Sequence, residues 1–394
     1  MRIDAGRNVV PLAIVVLTAA ALLLAAKSDG YTPFVLALVA LTAVVGVGLN
    51  ILLGLTGQVS LGHVGFYAIG AYTVAILTLK GVDFWIALPL AGAVAGIVGF
   101  VLALPALRVT GPYLAMVTIA FAFIVQHGTI EWRTLTGGSN GLMGIPPPSI
   151  GALIFSEREM AMLAVTLAGA SLYAFHRLAR SGWGMAMVAV RDAEPAARSI
   201  GLNPVIVKTA AFSLSAVFTG LAGGIFAPLL MFVAPDSFPF SQSILFLFAV
   251  IVGGAGWTFG PVVGALVSVV LPELLSGLAE YRLLFFGAAL LVILWVAPEG
   301  VLGLLARLWP RRDSAMAVST RRVPHARSCT RRTRGARPRH RLRRHQGGDR
   351  RHLYRSARQG DERYRPQRRR QDHRAQPDRR VLPPRQRQHP ARRA

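Results

Sequence analysis

The chain has 394 residues, 53% of them apolar, and a mean hydropathy of +0.48. Residues 1–310 carry a net charge of only +2, whereas residues 311–394 contain 29 arginines and carry +23. The only cysteine is Cys329, which excludes disulfides and cysteine-ligated metal sites from residues 1–310. We therefore expect two unlike parts: an integral membrane body over 1–310 and a disordered Arg-rich tail over 311–394.

Apolar runs of membrane-spanning length follow one another along the body. They predict an all-α, polytopic bundle of about ten transmembrane helices, over residues 9–26, 33–53, 60–79, 84–107, 113–132, 160–178, 209–233, 243–256, 260–275 and 283–305. The eighth and ninth runs are short for a hydrocarbon core of about 30 Å, and are candidates for tilted, re-entrant or merged segments. Small residues recur at helical spacing, which predicts close helix packing; the stripes are Gly92 and Gly96, then Ala216, Gly220 and Gly224, then Gly256, Gly260, Gly264 and Ser268.

Two glycine-rich stretches interrupt this pattern. In GQVSLGHVGFYAIGAY, residues 57–72, the polar residues Gln58, Ser60 and His63 stand at the start of a span broken by glycines. Irregular backbone at membrane depth is tolerated only against protein or along a cavity, so these three are candidates for a translocation path. The alternative is a packing helix in which the hydrogen bonds of the histidine are satisfied within the chain.

The second stretch, residues 136–148, is dense in turn residues. It is either a plain surface loop or a contact for an external partner, with Ser139, Asn140 and Gly141 as the candidates.

The longest cationic interruption of the body lies at residues 180–208. Its core, A-A-R-S-I-G, predicts a short helix with a small-residue face and a glycine stop at Gly201. Such a helix suits docking into the groove of a partner, with flanking charges that set its register; the alternative is a solvated loop. The candidate docking residues are Arg191, Asp192, Glu194, Ala196, Ala197, Arg198 and Gly201.

Lysine and arginine in the short loops predict the orientation of the spans. The distribution places the N-terminus, residues 180–208 and the C-terminus in the cytoplasm, and residues 136–148 outside. Ionisable residues within the spans are few, and no chain of carboxylates crosses the body, which disfavours coupling to protons or sodium. No catalytic constellation or metal-ligand pair at helix spacing is present. We therefore predict a transporter subunit that is not an enzyme and has no catalytic residue and no metal. It is either a passive pore or is driven by a partner.

These motifs resemble the LivM-type permeases of bacterial ABC importers for branched-chain amino acids. The matching stretches, in order along residues 1–310, are GQVSLGHVGFYAIGAY, GGSNGLMGI, RDAEPAARSIGLNPVIVKTAAF, SAVFTGLAGGIFA, GGAGWTFGPVVGA and APEGVLGL. One departure is Met185, because the family often has an arginine at the position after the glycine that corresponds to Gly184.

The resemblance implies a permease domain over 1–310 in a bacterial inner membrane. It implies four kinds of neighbour: a second, similar permease subunit, two ATP-binding subunits, a periplasmic substrate-binding protein and membrane lipid, with no nucleic acid. ATP would be bound by the partner subunits, so no cofactor is expected here, and residues 180–208 would couple to the ATPases. Alternatives are a permease of the same family for urea or another small polar solute, a facilitative channel, and a secondary transporter. No side chain is diagnostic of the substrate.

The codons of the tail permit a different amino-acid sequence in another reading frame. With CGN arginine codons, RPQRRRQDH at residues 365–373 permits G-P-N-G-A-G-K-T when read one base later, which is the phosphate-binding loop of ATPases. Residues 374–387 permit V-L-N-L-I-G-G-F-Y-R-P-D-S-G in the same frame, similar to the run that follows in ABC ATPases. We interpret 311–394 as a frame-shifted start of an ATP-binding domain, with the shift between about residues 311 and 360. A DNA sequence that does not read on into an ABC ATPase would refute this interpretation and favour a tail that binds anionic lipid.

Overall fold

The computed structural model describes residues 9–106, 111–151, 153–274 and Gly287. The chain divides into two units, Met1–Ala315 and Met316–Ala394, and every described residue lies in the first. The predicted tail lies outside the described residues, and so does the predicted tenth span, residues 283–305, apart from Gly287.

The described residues form an α-helical bundle. Its helices are α1 Val9–Lys27, α2 Thr32–Asn50, α3 His63–Leu79, α4 Phe84–Ala106, α5 Pro112–Glu131, α6 Arg133–Thr136, α7 Glu157–Ala179, α8 Gly182–Asp192, α9 Glu194–Ser199, α10 Pro204–Leu230, α11 Phe240–Gly253 and α12 Gly260–Leu274. A π-helical segment, Ile51–Thr56, continues α2, and 3₁₀ turns occupy Gly138–Asn140 and Pro235–Ser237.

Within the described residues, seven helical stretches are long and apolar enough to cross a membrane: Val9–Lys27, Thr32–Thr56, Phe84–Pro105, Tyr113–Glu131, Glu157–Ala179, Pro204–Leu230 and Pro235–Gly253. Helices α3 and α12 are apolar but shorter, at 17 and 15 residues. The prediction of an all-α polytopic bundle is confirmed, and the first nine predicted spans each have a helix in their place. The eighth is long enough to cross because its helical stretch already begins at Pro235.

Helix α10 lies at the centre of the bundle and packs against α2, α3 and α4. The backbones of α3 and α10 touch: a Cβ added to Gly70 would overlap the carbonyl of Gly220, and one added to Gly223 would overlap the carbonyl of Tyr67. On the other side, a Cβ on Gly96 of α4 would lie 2.6 Å from a side-chain carbon of α10. Two of the predicted small-residue stripes, those of α4 and α10, therefore pack against each other.

The third predicted stripe is shorter than predicted. Gly260 and Gly264 lie in α12 and face α11, where a Cβ on Gly264 would overlap the Ala249 carbonyl. Gly256, by contrast, lies in the loop between α11 and α12 with a φ of +87°. It terminates a turn, because only glycine adopts that conformation without strain.

Contacts between distant segments tie each end of the bundle. We call the end that carries α8 and α9 the cationic end, and the opposite end the hairpin end. At the hairpin end two short antiparallel ladders join β1 to β4 and β2 to β3, over Leu142–Met143, Ser149–Ile150, Leu153–Ile154 and Phe232–Val233 in chain order. There, Arg158 also pairs with Asp29, and the Trp85 indole donates a hydrogen bond of 3.1 Å to the Ser149 carbonyl.

Candidate functional site

The helical structure is broken at residues 57–62, where the third predicted span begins. Of the four glycines predicted to break it, Gly57 and Gly62 lie in this break, whereas Gly65 and Gly70 lie inside the continuous helix α3, so the prediction is wrong for those two. Segment Ile51–Thr56 ends at Gly57, whose φ of +68° is a conformation that glycine adopts most easily. Residues 58–62 then run without helical structure, and α3 begins at His63. Non-helical backbone inside a bundle needs polar partners from its neighbours, because the backbone groups it frees cannot pair within one helix.

The imidazole of His63 is fully buried and joins two serine hydroxyls. Its Nδ1 lies 3.1 Å from Ser60 Oγ, and its Nε2 lies 2.8 Å from Ser215 Oγ on α10. A neutral imidazole has one donor and one acceptor nitrogen, and hydroxyls complement both. Both ring nitrogens of His63 therefore have hydrogen-bond partners within the chain.

Hydroxyls from three other helices converge on the broken segment. Besides Ser215, Thr118 of α5 accepts a hydrogen bond of 3.0 Å from the Leu61 amide, and Ser243 of α11 accepts one of 3.0 Å from the Val64 amide. Ser215 lies eleven residues from the start of α10, about 16 Å along its axis. The broken segment thus penetrates well into the bundle and forms a small polar cluster with α5, α10 and α11.

Sequence reasoning missed Ser215, Thr118 and Ser243 as members of this cluster. Each is a single hydroxyl within an apolar run, a pattern that small-residue packing produces just as well. The only usable signal in the sequence was that Ser215 immediately precedes Ala216, the first residue of a small-residue stripe. In the structure, Ser215 lies on the side of α10 that meets α3.

Gln58 differs from the rest of the cluster because its side chain is unpaired. It is only 5% exposed, and neither its amide nitrogen nor its amide oxygen has a hydrogen-bond partner among the described residues. Burying an amide without partners costs about 1–3 kcal/mol. A fold that tolerates this cost at a break in a span offers a donor and an acceptor to a polar molecule inside the bundle.

At the cationic end, α9 matches the predicted short helix and its glycine stop. The helix covers Glu194–Ser199, and Gly201 follows with a φ of +87° and open space around its Cα. The predicted small-residue face is divided, however: Ala196 is exposed, whereas Ala197 is buried in the core of the chain itself. Adjacent positions of a helix point about 100° apart, so Ala197 is not available to a partner while α9 packs in this way.

The charges that flank α9 pair within the chain. Glu194 accepts hydrogen bonds from Lys208 Nζ at 2.6 Å and from Arg198 Nη2 at 2.8 Å. These two cations, Lys208 first, hold the pKa of Glu194 below its ordinary value. Because Lys208 belongs to α10, the carboxylate ties α9 to the central helix of the bundle.

Arg191, at the end of α8, points in two directions. Its Nε donates to Asp192 at 2.9 Å on the exposed side, and its Nη1 donates to the Gly54 carbonyl at 2.5 Å inside. The guanidinium therefore links the α8–α9 segment to the π-helical turn that precedes Gln58.

The third candidate group lies at the hairpin end. Ser139 and Asn140 are exposed in a 3₁₀ turn, as expected for a surface contact. Gly141 is packed instead: its φ is +69°, and a Cβ there would overlap the Val233 carbonyl of β4. The three predicted groups of residues thus lie apart, one inside the bundle and one at each end.

Comparisons with known proteins agree on one family. Residues 31–294 match the family described as "Branched-chain amino acid transport system / permease component". Two relatives share 39% identity over 284 residues, which is 66% of this chain and 67% of each relative. Both are the high-affinity branched-chain amino acid transport system permease protein LivM, one from Salmonella typhimurium and the other from Escherichia coli K12. No solved structure matches the chain significantly. The matched residues include the broken span, the α8–α9 segment and the central helix α10. The chain belongs to the family of permease components of branched-chain amino acid transport systems.

Proposed function

We propose that this chain is the membrane-spanning permease subunit of an ATP-driven importer that moves branched-chain amino acids across the bacterial inner membrane. The observation that supports this proposal best is the broken span inside a bundle of this permease family. At the break, the Gln58 amide, which has no hydrogen-bond partner among the described residues, lies beside the Ser60–His63 pair. A path lined by neutral hydrogen-bonding groups and apolar walls suits a solute with a polar head and a branched aliphatic side chain. We assign Gln58, Ser60 and His63 to this path, and no catalytic residue to the chain.

The proposed complex contains a second, similar permease, two ATP-binding subunits that hold the ATP, and a periplasmic binding protein. The surface of the cationic end supports the ATP-binding partner. Large apolar side chains are exposed there on and beside α8 and α9: Trp183 at 54%, Met185 at 64% and Ile200 at 73%. Charged residues of both signs lie in the same stretch of the chain, among them Arg180, Arg191, Asp192 and Glu194. Apolar side chains beside charged ones at a solvent-facing end are typical of a protein interface.

The decisive measurement is uptake by the complete transporter in proteoliposomes, with and without its ATP-binding subunits. We expect accumulation of labelled leucine only when the ATP-binding subunits, ATP and the binding protein are all present. Downhill flux through the permeases alone would favour a facilitative channel instead. Accumulation of urea but not of leucine would identify a permease for small polar solutes of the same family.

We also propose that the N-terminus and residues 180–208 are cytoplasmic, that the Ser139–Gly141 turn faces the periplasm, and that the C-terminus is cytoplasmic. The contacts agree with strict alternation of the spans, because α8–α9 meets the Gly54 end of α2 while the strands meet at the opposite end. The test is impermeant thiol labelling of intact cells that carry single cysteines, with Cys329 replaced by serine. A cysteine at Asn140 should react and one at Arg198 should not; the reverse pattern would overturn the orientation.

For residues 311–394 we propose that the permease domain ends near residue 310 and that the tail is a frame-shifted remnant of an ATP-binding domain. The support lies in the codon pattern of residues 365–387, which permits a phosphate-binding loop one base later. Resequencing the gene checks this directly.

A further inference from the structure

We propose that Arg191 is a positioning residue that couples the α8–α9 segment to the broken span, by gripping the π-helical segment Ile51–Thr56 from the cationic end. The inference rests on the proposed function and adds to it a specific route. Movement that an ATP-binding subunit imposes on α8 would pass through one side chain to the segment that leads into Gln58.

The grip has two parts, one polar and one steric. The guanidinium donates to the Gly54 carbonyl at 2.5 Å, and the aliphatic stem of Arg191 packs over Gly57. A Cβ at Gly57 would lie 2.9 Å from Arg191 Cγ, closer than real carbon contacts allow. Gly57 therefore serves two purposes: its φ of +68° ends the helix, and its missing side chain admits the arginine.

The carbonyl that Arg191 binds is one that a helix end leaves without an intrahelical partner. Gly54 lies in the last turn of the helical stretch that runs from Thr32 to Thr56. The negative end of the helix dipole lies there as well, so a cation is stabilised at this place more than elsewhere along the helix. Arg191 thus places a positive charge where the helix end carries a partial negative charge, and an uncharged side chain would not do so.

The opposite side of the same segment is held just as firmly. Asn50 Nδ2 donates to the Trp257 carbonyl at 2.9 Å, and the Gly256 amide donates to Asn50 Oδ1 at 2.7 Å. A Cβ on Gly54 would lie 2.6 Å from the Gly256 amide nitrogen. The π-helical segment is therefore clamped between α8 on one side and the α11–α12 loop on the other.

A clamped segment transmits displacement instead of absorbing it. A π-helical turn is rare and is found frequently at functional sites. Residues 58–63 follow this segment directly, which makes them the place where motion of α8 is expressed.

The experiment uses the complete transporter in proteoliposomes, with Cys329 replaced by serine and a reporter cysteine at Val59. Val59 lies inside the broken segment and is 38% exposed, so a maleimide can report its accessibility. Labelling rate, ATP hydrolysis and leucine uptake are measured with and without ATP and vanadate. With Arg191 intact, trapping with nucleotide should change the labelling rate at position 59.

For Arg191→Ala we expect ATP hydrolysis to continue, the nucleotide-dependent change in labelling to vanish, and uptake per ATP hydrolysed to fall about tenfold. Arg191→Lys should behave similarly, because the lysine ammonium ends one bond short of Arg191 Nη1 and cannot hold the Gly54 carbonyl in the same geometry; it also replaces the alanine variant should that one fail to assemble. Arg158→Ala is the matched control, since it removes an exposed arginine and its ion pair with Asp29 at the hairpin end, away from α8 and the broken segment.

Three results would overturn the inference. The first is a labelling rate at position 59 that nucleotide does not change in the parent transporter. The second is Arg191→Ala or Arg191→Lys with the parent's labelling change and the parent's uptake per ATP. The third is Arg158→Ala with a defect equal to that of Arg191→Ala. Failure of the proposed function would look different, because the parent transporter itself would then show no ATP-dependent uptake of leucine.

Discussion

A valine at Gly223 is expected to prevent the bundle from folding, whereas a valine at Gly128 should leave it folded. A Cβ on Gly223 would overlap the Tyr67 carbonyl and crowd the amide of Ala71, and both of these are backbone groups that cannot rotate away. At Gly128, on α5, no atom lies within 4 Å of the added carbon. Overpacking typically costs about 1–3 kcal/mol and more where the neighbour is rigid.

The pair is well matched because both glycines lie inside apolar helices, so the change in helix propensity is the same. The measurement is the yield of monodisperse protein in detergent, followed by its thermal unfolding. We expect Gly223→Val to give aggregate and Gly128→Val to unfold near the parent's temperature. Equal unfolding temperatures for the two variants would show that α3 and α10 do not touch as described.

Replacing Gln58 with methionine is expected to lower uptake at least about tenfold without loss of stability. The amide has no hydrogen-bond partner among the described residues, so removing it eliminates a desolvation cost of about 1–3 kcal/mol instead of breaking a bond. Methionine has a similar length and flexibility and keeps the volume filled. A loss of transport with unchanged or raised stability is the signature of a polar group that is kept for a ligand.

Asn50→Leu is the control, because it removes a buried amide that is fully used. Asn50 bonds both the Trp257 carbonyl and the Gly256 amide, so its loss breaks two hydrogen bonds and should lower stability by about 1–3 kcal/mol. Thermal unfolding in detergent separates the two variants, and leucine uptake is measured on the same preparations. Gln58→Met with the parent's uptake would remove Gln58 from the path.

Much of the site could be located from the sequence because it depends on local chemistry. Glycines 57 and 62 predict a break, Gly201 predicts the end of α9, and both are found. The pairing partners could not be predicted, because they come from helices 57 to 179 residues away along the chain. Ser215 is one of many serines in apolar runs, and nothing nearby in the chain indicates that it meets His63.

The α8–α9 segment shows the same difference between what the sequence predicts and what it does not. Its charges predict a solvent-facing region, and Trp183, Met185 and Ile200 are indeed exposed there. The sequence predicts that the flanking charges can set a partner's register, but it does not indicate that Glu194 pairs with Lys208 or that Arg191 turns inward. A cation near a glycine-terminated helix has two ways to be satisfied, solvent or a free carbonyl, and only the packing of α8 against that helix end decides between them.

The order of the amino acids is enough to predict the membrane class, the all-α architecture, nearly all the spans and the position of the break. These follow from hydropathy, helical period and glycine conformation, which act over a few residues at a time. Three features follow only from the folded chain: the break meets hydroxyls of α5, α10 and α11, Gln58 has no hydrogen-bond partner among the described residues, and Arg191 holds Gly54. Such contacts depend on which helices become neighbours, and backbone approach between glycines on α3 and α10 sets that arrangement, because no side chain holds these two helices apart.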